Sequence, residues 1–258
     1  MNHNEVIKHI VSWLSTYSLN SKTNGFVIGV SGGIDSALTS TLLAKTELPL
    51  LVVDLPIHQD QKQISRAKNH IEWLKNNYKN VTSLTTDLTI VYDQFIKSTE
   101  SDSQLDNERS LVNTRARLRM TTLYYHAQIH NYLVAGTGNK VEDFGIGFFT
   151  KYGDGGVDLS PIADLYKSEV YALSKTIGVN SDILNAAPTD GLWNDNRTDE
   201  DQIGATYDEL EWAMEFKGNL TKCSERENEV LKLYKKFNLI SKHKTEPIPI
   251  CIIPNNLK

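Results

Sequence analysis

Two serines, two glycines and an acid stand together in Ser31-Gly32-Gly33-Ile34-Asp35-Ser36. The run before them, Phe26-Val27-Ile28-Gly29-Val30, suits a buried parallel strand, and a helix pattern follows with Asp35 and Ser36 at its start. A strand that empties through paired glycines into a helix N-terminus is an anion site. The glycines let a ligand approach the backbone, free N–H groups point at it, and the helix dipole adds roughly 0.3–1 kcal/mol. The glycines are not followed by Lys and Ser or Thr, and GxGxxG is absent, so this is neither a Walker A loop nor a dinucleotide fingerprint. Without the lysine, the loop offers backbone donors and the Ser31 and Ser36 hydroxyls to a pyrophosphate, and Asp35 can hold Mg²⁺ against it. Helix capping by Asp35 and Ser36 is expected as well, but it does not account for the whole set.

Other residues could serve such a loop. Asn113–Met120 carries Arg115, Arg117 and Arg119; Arg115 and Arg119 lie one turn apart on one face, which suits phosphate or carboxylate as well as a solvated basic face. Glu142 follows Thr137 at the end of an expected strand, where it is either a surface acid or a second oxygen ligand opposite Asp35. His243-Lys244 reads in isolation as a pair of helix-dipole cations. The seven histidines are scattered and pair with no Ser or Cys, so neither a triad nor a zinc site is indicated.

These residues need a scaffold to bring them together. Ala37–Lys45 reads as a helix and Leu48–Leu55 as a second buried strand. A helix from Asp60 or Gln61 to about Tyr78 has Ile64, Ala67, Ile71 and Leu74 on one face, and Val81–Thr86 is a third strand. Leu111 to Asn131 is helical and Tyr132–Thr137 is a fourth strand. Helices are also expected over Leu165–Ile177, from Thr198 to Phe216, and over Glu225–Ser241, the last opened by a Ser224/Glu227 capping box. Alternating strands and helices predict an α/β fold, an open doubly wound parallel sheet flanked by helices, with ligands at the carboxyl ends of its strands. Ser98–Glu108 is polar and reads as a solvated loop; Phe144–Pro161 is rich in glycine but too aromatic for a linker, and reads as an ordered functional loop.

The 258 residues are 40% hydrophobic and 23% charged, with a formal charge of -5 that gives no support to nucleic acid as the main partner. Cys223 and Cys251 form no metal-ligand pattern and are expected as reduced thiols of a cytoplasmic protein. The longest apolar runs, Leu48–Ile57 and Ile248–Ile253, contain proline and are too short to span a membrane. The N-terminus, with Val6, Ile7, Ile10, Val11 and Leu14 at helical spacing, reads as a structural helix rather than a targeting segment. Without repeats or a composition break, one domain over residues 1–258 is expected, with no glutaminase domain.

The SGGxDS form resembles the pyrophosphate loop of the ATP pyrophosphatases. A narrower resemblance runs through nearly the whole chain. SGGIDS, ARLRM, AGTGNKVEDF, GFFTKYGDGGVDLSP, LYKSEV, APTDGLW, DEDQIGATYDEL and the His-Lys tail occur in the order found in ammonia-dependent NAD synthetase. This implies the adenine nucleotide alpha hydrolase-like, Rossmann-like three-layer fold, and a ligase that amidates deamido-NAD with ammonia at the expense of ATP. It further implies that Gly29, Val30, Ser31, Gly32, Gly33, Ile34, Asp35 and Ser36 cradle the ATP pyrophosphate, with Thr137, Lys167 and Thr189 also on ATP. Asp35 and Glu142 would bind Mg²⁺, and Arg119, Lys151, Asp158, His243 and Lys244 would hold deamido-NAD. One departure is Asp143-Phe144-Gly145-Ile146-Gly147 between Glu142 and Phe148, one residue longer than the family pattern, which makes Asp143 a rival ligand.

The implied reaction begins with attack of the nicotinate carboxylate on the ATP α-phosphate, giving an acyl-adenylate. Ammonia then displaces AMP, with Asp35 and Lys167 serving the first step and Asp158 taking a proton from ammonium. The loops Ser98–Glu108 and Gly145–Gly156 would act as lids, and a homodimer is implied. A tRNA-modifying ligase or GMP synthetase would share SGGIDS, but the acidic charge and GFFTKYGDGG speak against both. A catalytically silent nucleotide sensor would not need to keep Asp35, Glu142, Lys151 and Lys167.

Overall fold

The computed structural model describes residues 1–99, 107–189 and 198–258. Its centre is the apolar run anticipated before the serine–glycine loop: β1 (Gly25–Gly29), in which Phe26, Val27 and Ile28 are wholly buried. β2 (Leu50–Asp54) and β4 (Tyr132–Val134) flank it in parallel, with Phe26 beside both Leu50 and Leu133, and β3 (Val81–Thr85) pairs with β2. The sheet order is therefore β3-β2-β1-β4. A parallel bridge between Ala135 and Leu159 adds a rudimentary strand beyond β4.

Side-chain alternation along the strands builds a core on each face of the sheet. Phe26, Ile28, Leu50 and Val52 pack against α1 (His3–Ser21), α2 (Ile34–Ala44), α3 (Gln61–Asn77) and α6 (Lys167–Ile177). Val27, Leu51, Val53 and Val134 pack against α4 (Thr89–Ser98) and α5 (Glu108–His130). The chain steps outward from β1 to β3 over one face and returns to β4 over the other. This is the doubly wound arrangement expected, and it leaves a crevice where the loops after β1 and β4 diverge.

A third apolar cluster lies beyond the sheet. It joins a π-helical turn at Lys140–Ile146 to α8 (Asp199–Ile203), α9 (Tyr207–Glu215) and α10 (Glu225–Thr245), following the short α7 (Ser181–Leu184). The single helix expected from Thr198 to Phe216 is in fact two. Gly204 adopts φ +85°, a left-handed C-terminus, and Thr206 restarts the chain with a capping box to Glu209. α4 was not visible as a period in the sequence. Of the turn-rich stretch Ala186–Trp193, the last four residues lie outside the described residues, as does most of the Ser98–Glu108 loop.

Candidate active site

The serine–glycine loop is preformed by its own hydroxyls. Ser31 Oγ accepts from the Gly33 N–H (3.2 Å) and lies 3.1 Å from Ser36 Oγ, while the Ser36 hydroxyl donates to the Gly33 carbonyl (3.0 Å). Gly32 has φ +80°, and the α3 backbone at Gln63 and Ala67 lies within 2.9 Å of where a Cβ would stand, so glycine is required there. Arg66 of α3 reaches back to the Gly32 carbonyl (3.4 Å). The expected capping by Asp35 and Ser36 is not found. Gly33 is the N-cap of α2 and no side chain caps it, because Ser36 is engaged within the loop and Asp35 points to the next element. The first N–H groups of α2 thus keep their dipole directed at the crevice.

Asp35 meets Glu142 through one cation. Lys167 Nζ, in a residue 3% exposed, donates to Asp35 Oδ2 (2.7 Å) and Glu142 Oε1 (2.8 Å). A lysine in the first turn of α6 is opposed by the helix dipole; the two carboxylates offset that cost. Burial works against the charge, but Asp35 and Glu142 hold the Lys167 ammonium well above the usual lysine range. Burial pushes the Asp35 carboxyl up in spite of Lys167. Burial also opposes the Glu142 charge, but Lys167, Tyr207 and Asn139 outweigh it and keep Glu142 below the usual range.

Asn139 and Tyr207 fix this geometry. Asn139, fully buried, donates Nδ2–H to Asp35 Oδ1 (3.0 Å) and accepts from the Val141 and Glu142 N–H groups (3.0 Å each), locking the end of the β4 loop to the start of α2. The Tyr207 hydroxyl donates to Glu142 Oε1 (2.5 Å) and lies 3.3 Å from Asp199 Oδ2. None of these three carried a role in the sequence reading. Asn139 showed only as the residue after Gly-Thr-Gly, Tyr207 lay unassigned in ATYDEL, and Asp199 read as one acid of a helix start.

A cavity of about 840 Å³ opens over this centre. Gly29 to Ser36, Thr137, Glu142, Lys167, Thr189, Arg119, Lys151, His243 and Lys244 all line it. Arg119 enters from α5, donating to the Leu55 carbonyl and Gln59 Oε1 (2.9 Å each), and burial, then Arg115, brings its guanidinium down to about 10. The two arginines do not act as a pair, since Arg115 instead lies over the Tyr92 ring at 5.1 Å. Lys244 donates to the Gly147 (2.7 Å) and Phe149 (2.6 Å) carbonyls, and Lys151 donates to the His243 carbonyl. α10 therefore holds the GFFTKYGDGG segment as a wall of the cavity.

Asp158 is not brought to the cavity. Its carboxylate accepts from the Val134 N–H (2.8 Å) and the Tyr124 hydroxyl (2.9 Å), because the segment carrying it runs along β4 as an added strand. Asp154 lines the cavity instead, accepting from the Thr150 N–H (3.0 Å) and raised by burial. Asp143 does line the cavity, but its carboxylate packs against Gly138. Burial, followed by Asp154, Glu142 and Asp35, raises it well above the usual range and favours its neutral form. Of the two rival acids, Glu142 is the one that stays charged beside Asp35.

The sequence model of NAD synthase matches residues 6–247. The chain belongs to the NAD synthase family. It is 39% identical to the NH(3)-dependent NAD(+) synthetase of Malacoplasma penetrans (strain HF-2), over 93% of this chain and 91% of that one. Its structure is similar to NMN synthetase from Francisella tularensis, with TM-score 0.86 and 35% identity, covering 99% of both chains. It is also similar to NH3-dependent NAD synthetase from Campylobacter jejuni subsp. jejuni NCTC 11168, with TM-score 0.78 and 25% identity, covering 98% of this chain and 100% of that one.

In this member of the NAD synthase family, Glu142 and Asp143 both sit on one widened helical turn. Lys140–Ile146 forms the π-helical turn, a conformation that occurs mostly as single turns and frequently at functional sites. Glu142 keeps its place opposite Asp35, and Asp143 is turned toward Gly138.

Proposed function

We propose that this member of the NAD synthase family is an ATP-dependent ligase that converts the nicotinate carboxylate of deamido-NAD into the amide of NAD with ammonia, releasing AMP and pyrophosphate. The observation that carries this reading is the buried Lys167 ammonium held between Asp35 and Glu142 beside a preformed phosphate loop. A carboxylate is too stabilised by resonance for ammonia to attack directly. In the first step a carboxylate oxygen attacks the α-phosphorus of ATP, a C–O–P link forms, and pyrophosphate departs into Ser31–Ser36. Lys167 and the α2 N–H groups stabilise the charge on that leaving group, a task of positioning and electrostatics. Thr137 and Thr189 serve the same nucleotide, while Arg119, Lys151, His243 and Lys244 serve the acid.

Asp35 and Glu142 suit Mg²⁺, because both already converge on one positive charge and a hard cation takes carboxylates together with phosphate oxygens. The ion would neutralise charge on the triphosphate. In the second step ammonia attacks the acyl carbon and AMP leaves. Ammonium must first lose a proton, and Asp154, raised by burial, is the acceptor within the cavity. Asp154→Asn should cut turnover with ammonium more than tenfold while ATP binding is kept; unchanged turnover would remove Asp154 from this role. Neither cysteine lines the cavity, in keeping with ammonia rather than glutamine as the nitrogen source.

The deciding experiment measures NAD formed from deamido-NAD, ATP, Mg²⁺ and ammonium, with glutamine in a parallel reaction. Stoichiometric NAD, AMP and pyrophosphate from ammonium alone support the reading, and ATP binding without turnover defeats it. A second reading concerns the size of the acid. The likeness to the NMN synthetase is fuller than that to the Campylobacter enzyme, which supports a mononucleotide acid as the preferred substrate. Comparing kcat/KM for nicotinate mononucleotide and deamido-NAD separates the two.

A homodimer in the cytoplasm completes the proposal. Tyr125 and Ile129 are exposed apolar side chains on α5, and two free cysteines suit a reducing compartment. Among the described residues no helix is long and apolar enough to cross a membrane. Light scattering that returned a monomer mass would remove the dimer.

A further inference from the structure

Asp54 ends β2, one strand over from the phosphate loop, and takes no part in the chemistry described above. The residue is 6% exposed and lines the same cavity, yet its Oδ2 is buried with no hydrogen-bond partner among the described residues. Its main chain is fully engaged in the sheet: Asp54 pairs with Thr85, and its carbonyl accepts from the Thr86 N–H (2.9 Å). The backbone thus fixes where the carboxylate sits. A buried acceptor left unmatched costs stability, so an aspartate held here calls for donors that the described residues do not supply. Lys68, Arg119 and Asp87 are the charged groups that act on it, and the carboxyl is raised, chiefly by burial.

The surroundings describe the donor. Gln59 and Gln63, hydrogen-bonded to each other, stand with Leu55, Pro56 and Ile64 on the same cavity wall, a mix of amides and apolar surface that suits a nucleoside rather than a metal. Val53 and Gly29 are register partners and the Val30 N–H donates to the Val53 carbonyl (3.0 Å), so Asp54 stands beside the first residues of the phosphate loop. In doubly wound dinucleotide-binding folds, whose glycine fingerprint this chain lacks, an acid about 20 residues after the glycine loop accepts from a ribose hydroxyl, which gives an analogy of place. Asp54 has that position relative to Gly33. Two vicinal hydroxyls present two donors to two carboxylate oxygens, whereas a phosphate on the same ribose would meet like charge.

We infer that Asp54 is the acceptor for the 2′,3′-diol of the ATP ribose and selects an unphosphorylated ribonucleotide. This rests on the cavity being the ATP site, so the test reads the two separately. Equilibrium binding would be measured for ATP, 2′-deoxy-ATP, 3′-deoxy-ATP and tripolyphosphate, with the wild-type protein, Asp54→Asn and Asp54→Ala. The wild type should bind ATP at least tenfold more tightly than either deoxynucleotide, the loss expected for one charge-assisted hydrogen bond. Both variants should lose that preference and keep tripolyphosphate binding, which reports the phosphate loop alone. Equal wild-type affinity for all three nucleotides overturns the assignment while leaving the ATP site intact. A uniform loss across all four probes in the variants makes Asp54 structural and also overturns it. Discrimination against a 2′-deoxyribose in the acid substrate, but not in ATP, would give Asp54 to the other nucleotide. Failure of every probe to bind the wild type removes the ATP site, and Asp54's role with it.

Discussion

Lys167 is the side chain on which the centre turns. Replacing it with methionine keeps the volume but leaves Asp35 and Glu142 facing each other, mostly buried, with no charge between them. Breaking such a pair costs about 3–5 kcal/mol of stability, and losing a charge stabiliser of this kind lowers kcat by about 10²–10³-fold. Denaturation midpoints and steady-state rates on Lys167→Met check both expectations. Tyr207→Phe is milder. It removes one hydrogen bond to Glu142, so kcat should fall about tenfold with the fold unchanged, the size of a hydrogen bond to a charged group. A rate equal to wild type would show that the hydroxyl does nothing for Glu142. These two residues also mark how far the sequence could be read. Lys167 was reached through a family resemblance, since a lysine at a helix start has no signal of its own. Tyr207 was missed because its partner lies 65 residues away and no spacing rule links them. Asp158 came from the same resemblance, and the sequence carries no signal that its carboxylate bonds the Val134 N–H and the Tyr124 hydroxyl.

At the scale of elements, α2 is buried almost all round, between the sheet and α1, α3 and α6, which forces its polar residues to find partners inside. Ser40 donates to the Ser36 carbonyl (2.7 Å) and lies 2.9 Å from His70 Nε2 of α3, which ties the base of the phosphate-loop helix to its neighbour. Burial pushes the His70 imidazole down to about 4. The unfolded chain takes up a proton near pH 6.5 while the native state refuses it until about pH 4, so stability falls as pH drops through that window, by about 3 kcal/mol in all. His70→Phe, which retains a ring against Trp73, should flatten the fall; urea titrations between pH 7 and 4 on both proteins decide it. Strands were the most legible elements, because runs such as Phe26–Val30 and Leu50–Val53 are apolar on both faces as a buried parallel sheet requires. Helix breaks were the least legible. Gly204 followed by Thr206 is a stop and a restart, but the apolar period continues across it because α8 and α9 bury residues in the same cluster.

For the molecule as a whole, the active centre is assembled from segments spread over nearly the entire chain, from Ser31 to Lys244. The last of them is α10, whose Ser241 donates to the Ile146 carbonyl (3.0 Å) and whose Lys244 holds the Gly147 and Phe149 carbonyls. A chain ended at Ile240 keeps Val230 and Leu231, the buried anchors of that helix, and should retain its far-ultraviolet circular dichroism while losing nearly all ligase activity. Retained activity would show that the wall stands without its pin. The order in which these segments leave the ribosome gives the arrangement a temporal meaning. The sheet and its phosphate loop are complete once β4 has emerged, but a chain at that stage lacks Glu142, Lys167 and the C-terminal clamp. Domains fold as units, and a chain that has reached β4 still lacks Val170 and Leu173 of α6, which complete the core around the phosphate-loop helix. Closure of the cavity wall therefore waits on α10 and not on the sheet, so the site and the core are completed by the same late segments of the chain.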